Sequence, residues 1–314
     1  HLQRRPPRGC AGLLDGRRMN CIEQVTTDRY TAIHGDCVES LRGLPDHSIG
    51  YSIFSPPFAS LYTYSNSPRD MGNVRDDAEF FEHFDFLIAE LRRVMKPGRN
   101  ISFHCMDMPS SKERDGVIGL KDFPGELLRA FQKHGFIFHA KATIWKDPVT
   151  AMQRTKALGL LHKSVRENAA MCRQGIPDYL VTMRKPGENA ERISHTHESF
   201  PVEKWQRYAS PVWMDVNPTR TLQFRNARES DDERHICPLQ LEVIRRGIDL
   251  WTNPGDVVLS PFAGIGSEGY VALQMQRRFV GVELKQSYYQ QAARNLQNAH
   301  KESGDLFAVA EDAA

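Results

Sequence analysis

The stretch VVLSPFAGIGSEGYVALQMQRRFVGVEL, residues 257–284, decides the fold. An apolar run leads into a glycine turn with Gly264 and Gly266, then into a helical segment and a second apolar run that ends at Glu283. Glycine tolerates positive φ and lets backbone amides approach a ligand closely. A carboxylate at the end of the second strand of such a unit commonly receives ribose hydroxyls. The order predicts a ligand-binding strand–turn–helix–strand unit; the alternative is a packing turn with a surface glutamate.

The residues before the glycines narrow the class of ligand. Ser260, Pro261 and Phe262 form an aromatic, proline-bearing approach to the turn, which is not shaped around a pyrophosphate. A nucleoside cofactor without phosphates therefore fits better than a dinucleotide. A nicotinamide-dependent oxidoreductase would also need a separate catalytic residue, and none is evident in the sequence.

The remaining segments alternate between strand and helix patterns. Apolar runs predict strands at 30–36, 49–54, 100–106, 136–145 and 176–187. Amphipathic spacing predicts helices at 37–48, 79–99, 123–135, 239–256 and 285–300. Residues from about 185 to 235 are polar and lose periodicity. Alternating strands and helices indicate an α/β, doubly wound and mostly parallel sheet.

Composition excludes several classes of protein. The chain has 314 residues, 25% of them charged, and a net charge of only +2, so its overall balance does not indicate a polyanion partner. No apolar run approaches the ~20 residues that span a membrane. Residues 1–18 lack the apolar stretch of a signal peptide and are expected to be a flexible or added leader before Met19. Six scattered cysteines without metal spacing indicate reduced thiols in a cytoplasm and no metal site.

A second informative stretch is YSIFSPPFASLYTYS, residues 51–65. Proline cannot donate to a sheet ladder, so Pro56 and Pro57 must lie beyond the paired part of the strand. Each residue before a proline is extended, which makes Ser55–Phe58 a stiff segment pointing away from the strand. Such a segment holds a hydroxyl, a carbonyl oxygen and an aromatic ring in fixed relation. The alternative is a strand-to-loop turn with Phe58 in the core.

Together the two stretches resemble the DNA amino-methyltransferases, and the order of the motifs resembles their permuted β class. Ser55, Pro56, Pro57 and Phe58 match the catalytic motif, and VLSPFAGIGSEG loosely matches the cofactor motif. The resemblance covers roughly residues 30–300 and implies a seven-stranded Rossmann-like methyltransferase sheet with an inserted target-recognition region. It also implies a domain plan: a catalytic part at 19–150, a basic strip and target-recognition region at 151–234 with a sheet strand near 177–184, a cofactor-binding part at 235–300 and a tail at 301–314.

The resemblance implies S-adenosylmethionine as cofactor, with S-adenosylhomocysteine as product. Asp36 is expected at the adenine amino group and Glu283 at the ribose, with further cofactor residues at His235, Pro238, Ser260, Pro261, Phe262, Ala263, Gly264 and Gly266. The family usually carries aspartate at the position of Ser260, where it helps to hold the methionine ammonium. Glu268 is a candidate replacement for that contact; the alternative is an acidic first-turn residue favoured by the helix dipole.

The implied reaction transfers a methyl group to an exocyclic amine of a flipped-out base in double-stranded DNA. Hydrogen bonds from the amine to the Ser55 side chain and the Pro56 carbonyl would free the nitrogen lone pair, and Phe58 would stack on the base. Tyr62 and Tyr64 are further pocket candidates, although loop tyrosines are more often surface anchors. Trp145 is either the opposite wall of the pocket or a core residue.

DNA contact requires local positive charge. Residues 153–185 contain seven basic and two acidic side chains, which predicts a phosphate-contacting strip; the alternative is a solvated helix face. The strip comprises Arg154, Lys156, Lys163, Arg166, Arg173, Arg184 and Lys185. Base reading is assigned to 186–234, with Trp213, Arg220, Arg225 and Arg228 as candidates.

The first residue of the catalytic motif bears on the target base. In the family, Ser-Pro-Pro-Phe points to cytosine N4 and Asp-Pro-Pro-Tyr to adenine N6, so cytosine is expected and adenine is the alternative. An RNA or protein-glutamine methyltransferase usually has Asn first and the cofactor motif upstream. A non-catalytic DNA-binding relic remains a further alternative because of Ser260. The resemblance names a restriction endonuclease and a second copy of the chain as candidate partners, in the cytoplasm of a bacterial or phage-infected cell.

Overall fold

The computed structural model describes residues 20–57, 77–110, 112–150, 161–222 and 238–311. Its centre is one sheet with the strand order β1-β2-β11-β10-β3-β4-β8-β7-β9. The strands are β1 Glu23–Thr26, β2 Tyr30–His34, β3 Tyr51–Phe54, β4 Asn100–Cys105, β7 Ile137–Ile144, β8 Asp178–Arg184, β9 Val212–Trp213, β10 Val257–Ser260 and β11 Arg278–Glu283. A separate hairpin pairs β5 Met108–Ser110 with β6 Gly119–Lys121.

Helices connect the strands and cover both faces of the sheet. They are α1 Cys37–Arg42, α2 Asp77–Val94, α3 Lys112–Asp115, α4 Phe123–Lys133, α5 His162–Asn168, α6 Val202–Ala209, α7 Leu241–Trp251, α8 Ser267–Gln274 and α9 Gln286–Glu311. One apolar core joins α1, α2 and α4 to the sheet through residues such as Leu41, Phe84 and Phe131. A second core joins α7, α8 and α9 to the opposite face.

The expected fold class is confirmed, but the strand number is not. Neighbours from β2 through β11, β10 and β3 to β4 are all parallel, while β8 is antiparallel to both β4 and β7. The sheet described has nine strands rather than seven, because β1 and β9 extend its two edges. The side chains of β1 are mostly exposed and β9 has only two residues, so neither shows a clear apolar pattern.

The strand directions place both sequence motifs, which follow β3 and β10, at one edge of the sheet. The segments that follow β2, β3, β4, β10 and β11 leave from the carboxyl edge of the parallel strands. Because β8 is antiparallel to β4, Asp178 at its start lies at that same edge, where it pairs with Ile144 and the next residue, Tyr179, pairs with Cys105. Ligands of open α/β sheets bind at this edge.

Besides β1 and β9, several elements were not predicted from the sequence, among them α3 and α5. Helix α6 lies in the polar segment 185–235, the β5–β6 hairpin follows β4, and α9 continues from the expected end near residue 300 to Glu311. Among the described residues, no helix combines the length and apolar character that a membrane crossing requires.

Candidate active site

The glycine turn connects β10 to α8 and is held by the end of β11. Gly264 and Gly266 have φ of 52° and 84°, the left-handed region that glycine adopts without strain. The Gly264 amide donates to Glu283 Oε2 at 2.8 Å, and the Lys285 amide donates to Oε1 at 2.8 Å. Both oxygens of the Glu283 carboxylate are thus tied to backbone amides that flank the turn. The turn is therefore preformed, with an ionisable acceptor beside it.

Gly269 completes a Gly-x-Gly-x-x-Gly spacing with Gly264 and Gly266. A Cβ on Gly269 would lie 2.4 Å from atoms of both Leu296 and Phe279, so this glycine permits close packing of α8 against α9 and β11. Dinucleotide sites share this spacing. The glycine spacing alone therefore does not distinguish a dinucleotide from a nucleoside cofactor without phosphates. The exclusion of a dinucleotide depends on the residues before the turn, Ser260, Pro261 and Phe262.

Asp36 lies next to Glu283 across the sheet. His34, at the end of β2, pairs with Glu283, and the Gly35 amide donates to the Glu283 carbonyl at 3.0 Å. Asp36 then caps α1, accepting the Glu39 amide on Oδ1 at 3.0 Å. The half-buried carboxylate of Asp36 is thus fixed on the same edge as the glycine turn.

Ser260 and Glu268 are buried beneath the turn. Ser260 is fully buried, and its Oγ makes no hydrogen bond in the described structure. Glu268 is 4% exposed, and burial, reinforced by the charge of Glu283, raises its pKa to about 8. At neutral pH the Glu268 carboxyl is therefore mostly protonated. A buried acid and an unpaired hydroxyl below the turn are polar groups that a bound ligand could satisfy.

The Ser-Pro-Pro segment leaves β3 beside the glycine turn. Ser52 pairs with Leu259 on β10 and donates from its Oγ to the Leu259 carbonyl at 2.9 Å. The rings of Phe54 and Phe262 are 5.8 Å apart between centroids, which joins the residue before Ser55 to the turn. Ser55 and Pro57 are half-buried and Pro56 is buried. The structure thus brings the two predicted motifs together; Phe58, Tyr62 and Tyr64 lie outside the described residues.

Ser55 contacts side chains that sequence reasoning missed. Its Oγ is 3.2 Å from His104 Nδ1, at the end of β4, and His104 Nε2 is 3.1 Å from Asp178 Oδ2 on β8. Lys146, just after β7, donates to Asp178 Oδ1 at 2.5 Å. The available signal was a histidine near the carboxyl end of a buried strand, at the ligand-binding edge of the sheet.

Comparison with known proteins identifies the family. Residues 51–294 match the family N6_N4_Mtase, described as DNA methylase. The chain belongs to this family. It is therefore a DNA amino-methyltransferase of the cytosine-N4 or adenine-N6 type. The family uses S-adenosyl-L-methionine as methyl donor.

Curated relatives align over most of the chain. The Type II methyltransferase M.Cfr9I of Citrobacter freundii is 24% identical over 93% of this chain and 96% of its own length. M.BglII of Bacillus subtilis is 24% identical over 87% of this chain and 70% of its own. The DNA adenine methyltransferase YhdJ of Escherichia coli K12 is 25% identical over 88% and 86%.

Two solved structures share the fold. TTHA0409 of Thermus thermophilus, determined in complex with S-adenosyl-L-methionine, has a TM-score of 0.62, with 24% identity over 85% of this chain and 94% of its own. The cytosine-N4-specific PvuII DNA methyltransferase has a TM-score of 0.61, with 16% identity over 88% and 93%. At these identities the likeness concerns the fold alone.

The residues expected to contact DNA in this methylase fall into two groups. Three of them, Lys163 and Arg166 on α5 and Arg173, lie between β7 and β8. Arg220 follows β9. Both connections lie at the carboxyl edge of the sheet. Lys163, Arg166 and Arg220 are exposed, Arg173 is half-buried, and Lys163 is 3.6 Å from Glu167. Outside the described residues lie Arg154, Lys156, Arg225, Arg228 and the cofactor candidate His235. Pro238 is described and half-buried.

Three sequence interpretations are wrong. Arg184 and Lys185 are not part of a strip at the carboxyl edge, because β8 carries them to the opposite edge, where the buried Lys185 ammonium donates to the Met95 carbonyl at 2.7 Å. Trp213 does not read bases, since it is 3% exposed and packs in the core. The core alternative for Trp145 is wrong because the side chain is 43% exposed. The alternative of a pocket wall opposite Phe58 stays a prediction, with β4 and β8 lying between the strand of Trp145 and β3.

Proposed function

We propose that this chain transfers the methyl group of S-adenosylmethionine to the exocyclic N4 of a cytosine flipped out of double-stranded DNA. The observation that carries the proposal is the junction of β3 and β10, where Ser55-Pro56-Pro57 and the glycine turn leave adjacent strands at one edge. When bound, the cofactor supplies an electrophilic methyl group. The remaining work, which is to orient the amine and accept its proton, falls to the chain.

The described residues fit the cofactor. The Glu283 carboxylate lies beside two positive-φ glycines, the position from which an acidic residue receives ribose hydroxyls, and Asp36 lies on the neighbouring strand end. Ser260 Oγ and the Glu268 carboxyl are buried polar groups below the turn, where we place the methionine end. Glu268 replaces in part the aspartate that the family usually carries at the position of Ser260. Among the described residues, no three His, Cys, Asp or Glu side chains form a metal-binding group.

Ser55 and Pro56 orient the substrate amine. An exocyclic amine is a weak nucleophile because its lone pair is delocalised into the base ring. Hydrogen bonds donated by the amine to Ser55 Oγ and the Pro56 carbonyl draw the nitrogen towards tetrahedral geometry, which directs the lone pair at the methyl group. Phe58 is assigned to stacking on the base, worth roughly 1–3 kcal/mol against the cost of flipping.

Adenine N6 is the second candidate target. YhdJ, named as a DNA adenine methyltransferase, aligns with 88% of this chain, and both amines need the same two acceptors. Cytosine is favoured because the family's cytosine-type motif begins with serine, as Ser55 does.

The test is direct product identification. The protein is incubated with unmethylated genomic DNA and S-adenosylmethionine carrying a CD3 group, and the DNA is digested to nucleosides for mass spectrometry. We expect CD3-labelled N4-methylcytosine, reduced at least about 100-fold by Ser55→Ala, because this change removes an acceptor used in the transition state. Ser194→Ala, at an exposed serine, is the matched control.

The other outcomes are equally informative. Labelled N6-methyladenine would replace the cytosine assignment and keep the mechanism. No labelled nucleoside, together with no binding of S-adenosylmethionine by calorimetry, would overturn the enzymatic proposal and support the DNA-binding relic.

A further inference from the structure

Four polar side chains form a line that begins at Ser55, after β3, and continues across β4 and β8 to the end of β7. Ser55 Oγ and His104 Nδ1 are 3.2 Å apart. His104 Nε2 lies 3.1 Å from Asp178 Oδ2, which is within ion-pair distance, but the pair does not have the geometry of a hydrogen bond. Lys146 completes the line on Asp178 Oδ1. His104 is 9% exposed and Asp178 3%, so the interior of the line is shielded from water.

Asp178 is held ionised despite its burial. Burial alone would raise its pKa, but His104 and Lys146 outweigh that effect, and the pKa of Asp178 lies below its ordinary value. The nearest charge to His104 is therefore an anion. A neutral His104 can accept the Ser55 hydroxyl proton on Nδ1 only if Nε2 carries the other hydrogen, and the Asp178 carboxylate facing Nε2 favours that tautomer.

We propose that Ser55, His104 and Asp178 form a proton relay that fixes the Ser55 hydroxyl towards the substrate amine and removes the proton which that amine loses. The proposal rests on the proposed methyl transfer to an exocyclic amine. In this relay His104 and Asp178 are positioning residues, since they act through Ser55.

The relay gives the proton that the amine loses a defined acceptor. The methyl carbon leaves the sulfonium sulfur and bonds to the amine nitrogen, which then carries one hydrogen too many. That proton passes to Ser55 Oγ as the Ser55 hydroxyl proton passes to His104 Nδ1. The resulting imidazolium faces the Asp178 carboxylate, which compensates its charge. Solvent recovers the proton from His104 after the product base leaves.

Other titratable groups near His104 lie on β7, on β8 and after β4. Tyr179 donates to Asp107 at 3.3 Å, Lys141 lies 4.9 Å from the Tyr179 ring centre, and Cys105 follows His104 in the strand. Among these groups, Asp178 makes the direct contact with His104, and Lys146 acts on His104 through Asp178. Changes at Asp178 and Lys146 should therefore alter the charge that faces the His104 ring in opposite directions.

The experiment measures single-turnover CD3 transfer to unmethylated genomic DNA between pH 5 and 9. For the wild type we expect a rate that rises with pH and then levels, because the relay must be able to accept a proton. His104→Asn keeps a group near Nδ1 but cannot take the proton, so we expect a rate about 100-fold lower and no acid limb. Asp178→Asn should move the acid limb at least about 1 pH unit lower, and Lys146→Met should move it higher.

Matched controls come from a second histidine–aspartate pair. His134 Nε2 lies 2.7 Å from Asp85 Oδ1, between α4 and α2 and away from Ser55. Asp85→Asn should leave both rate and pH profile unchanged. Binding of S-adenosylmethionine, measured by calorimetry, and the melting temperature report folding of each variant. Lys146, about a third exposed, provides a variant less disruptive than those at the buried positions.

Two results separate the relay from the proposed function. If the wild type transfers the label while His104→Asn retains its rate and profile, the relay is overturned and the function stands. The same holds if Asp178→Asn and Lys146→Met leave the acid limb where it is. If the wild type transfers no label at any pH, the proposed function fails, and the relay with it.

Discussion

At the scale of single residues, Glu268 makes stability depend on pH. Burial raises its folded-state pKa to about 8, above an ordinary value of 4.5, so the folded protein binds a proton that the unfolded chain releases. Its stabilising contribution is complete below about pH 4.5 and is lost as pH rises towards 8. We expect the free energy of unfolding to fall across this window by at most about 1.4 kcal/mol per pH unit, measured by urea denaturation.

The Glu268→Gln variant should remove that slope, because an amide of the same shape needs no proton. At pH 8 the variant should be more stable than the wild type, and near pH 4.5 the two should converge. Glu203→Gln, at an exposed first-turn glutamate of α6, is the control and should leave the pH slope unchanged. Parallel slopes for wild type and Glu268→Gln would show that Glu268 is ionised in the folded protein.

At the scale of elements, Arg246 joins α6 and β9 to α7. The side chain is fully buried, with its guanidinium 5.2 Å from the Tyr208 ring centre and 4.9 Å from that of Trp213. It also pairs with Asp215 at 2.7 Å and Glu242 at 3.0 Å. Arg246→Ala should lower the free energy of unfolding by about 2–4 kcal/mol, since it removes cation–π contacts and takes the nearest cation from two carboxylates.

The neighbouring Arg245, half-buried on α7, is the matched control for Arg246. Arg245→Ala should cost less than about 1 kcal/mol in the same denaturation experiment. Equal losses for the two variants would contradict the structural role assigned to Arg246.

The same cluster shows where sequence reasoning reached its limit. Strands β3, β4 and β10 are buried apolar runs, so their patterns are visible in the sequence, and both site motifs sit at strand ends. Helix α6 has only eight residues and buries mainly Tyr208, so no apolar period emerges. Trp213 and Arg246 stack across 33 positions of sequence, and His104 meets Asp178 across 74. Such pairs depend on strand order, which local patterns do not encode.

At the scale of the whole molecule, the sheet separates two edges with different tasks. The carboxyl edge carries Asp36, Ser55, the glycine turn and Asp178. The amino edge is structural: Arg99 is fully buried and donates to both Asp256 oxygens at 2.8 Å, which joins the start of β4 to the segment before β10. Lys185 belongs to this second edge. A DNA duplex that delivers a base to Ser55 must therefore approach the carboxyl edge, and only basic residues there should contact its phosphates.

This geometry makes DNA affinity sensitive to charge on one edge. Lys163→Ala and Arg166→Ala together should weaken binding to unmethylated duplex DNA and reduce the slope of log affinity against log salt by about 0.9 for each phosphate that the protein no longer neutralises. Arg192, exposed in the segment that Asn253 anchors at the amino edge, is the control, and Arg192→Ala should leave the slope unchanged. Fluorescence anisotropy between about 50 and about 200 mM salt measures both. An unchanged slope in the double variant would show that α5 is a solvated helix face and does not contact phosphates. A changed slope with Arg192→Ala would show that DNA contacts the amino edge, which is opposite to the edge that carries Ser55.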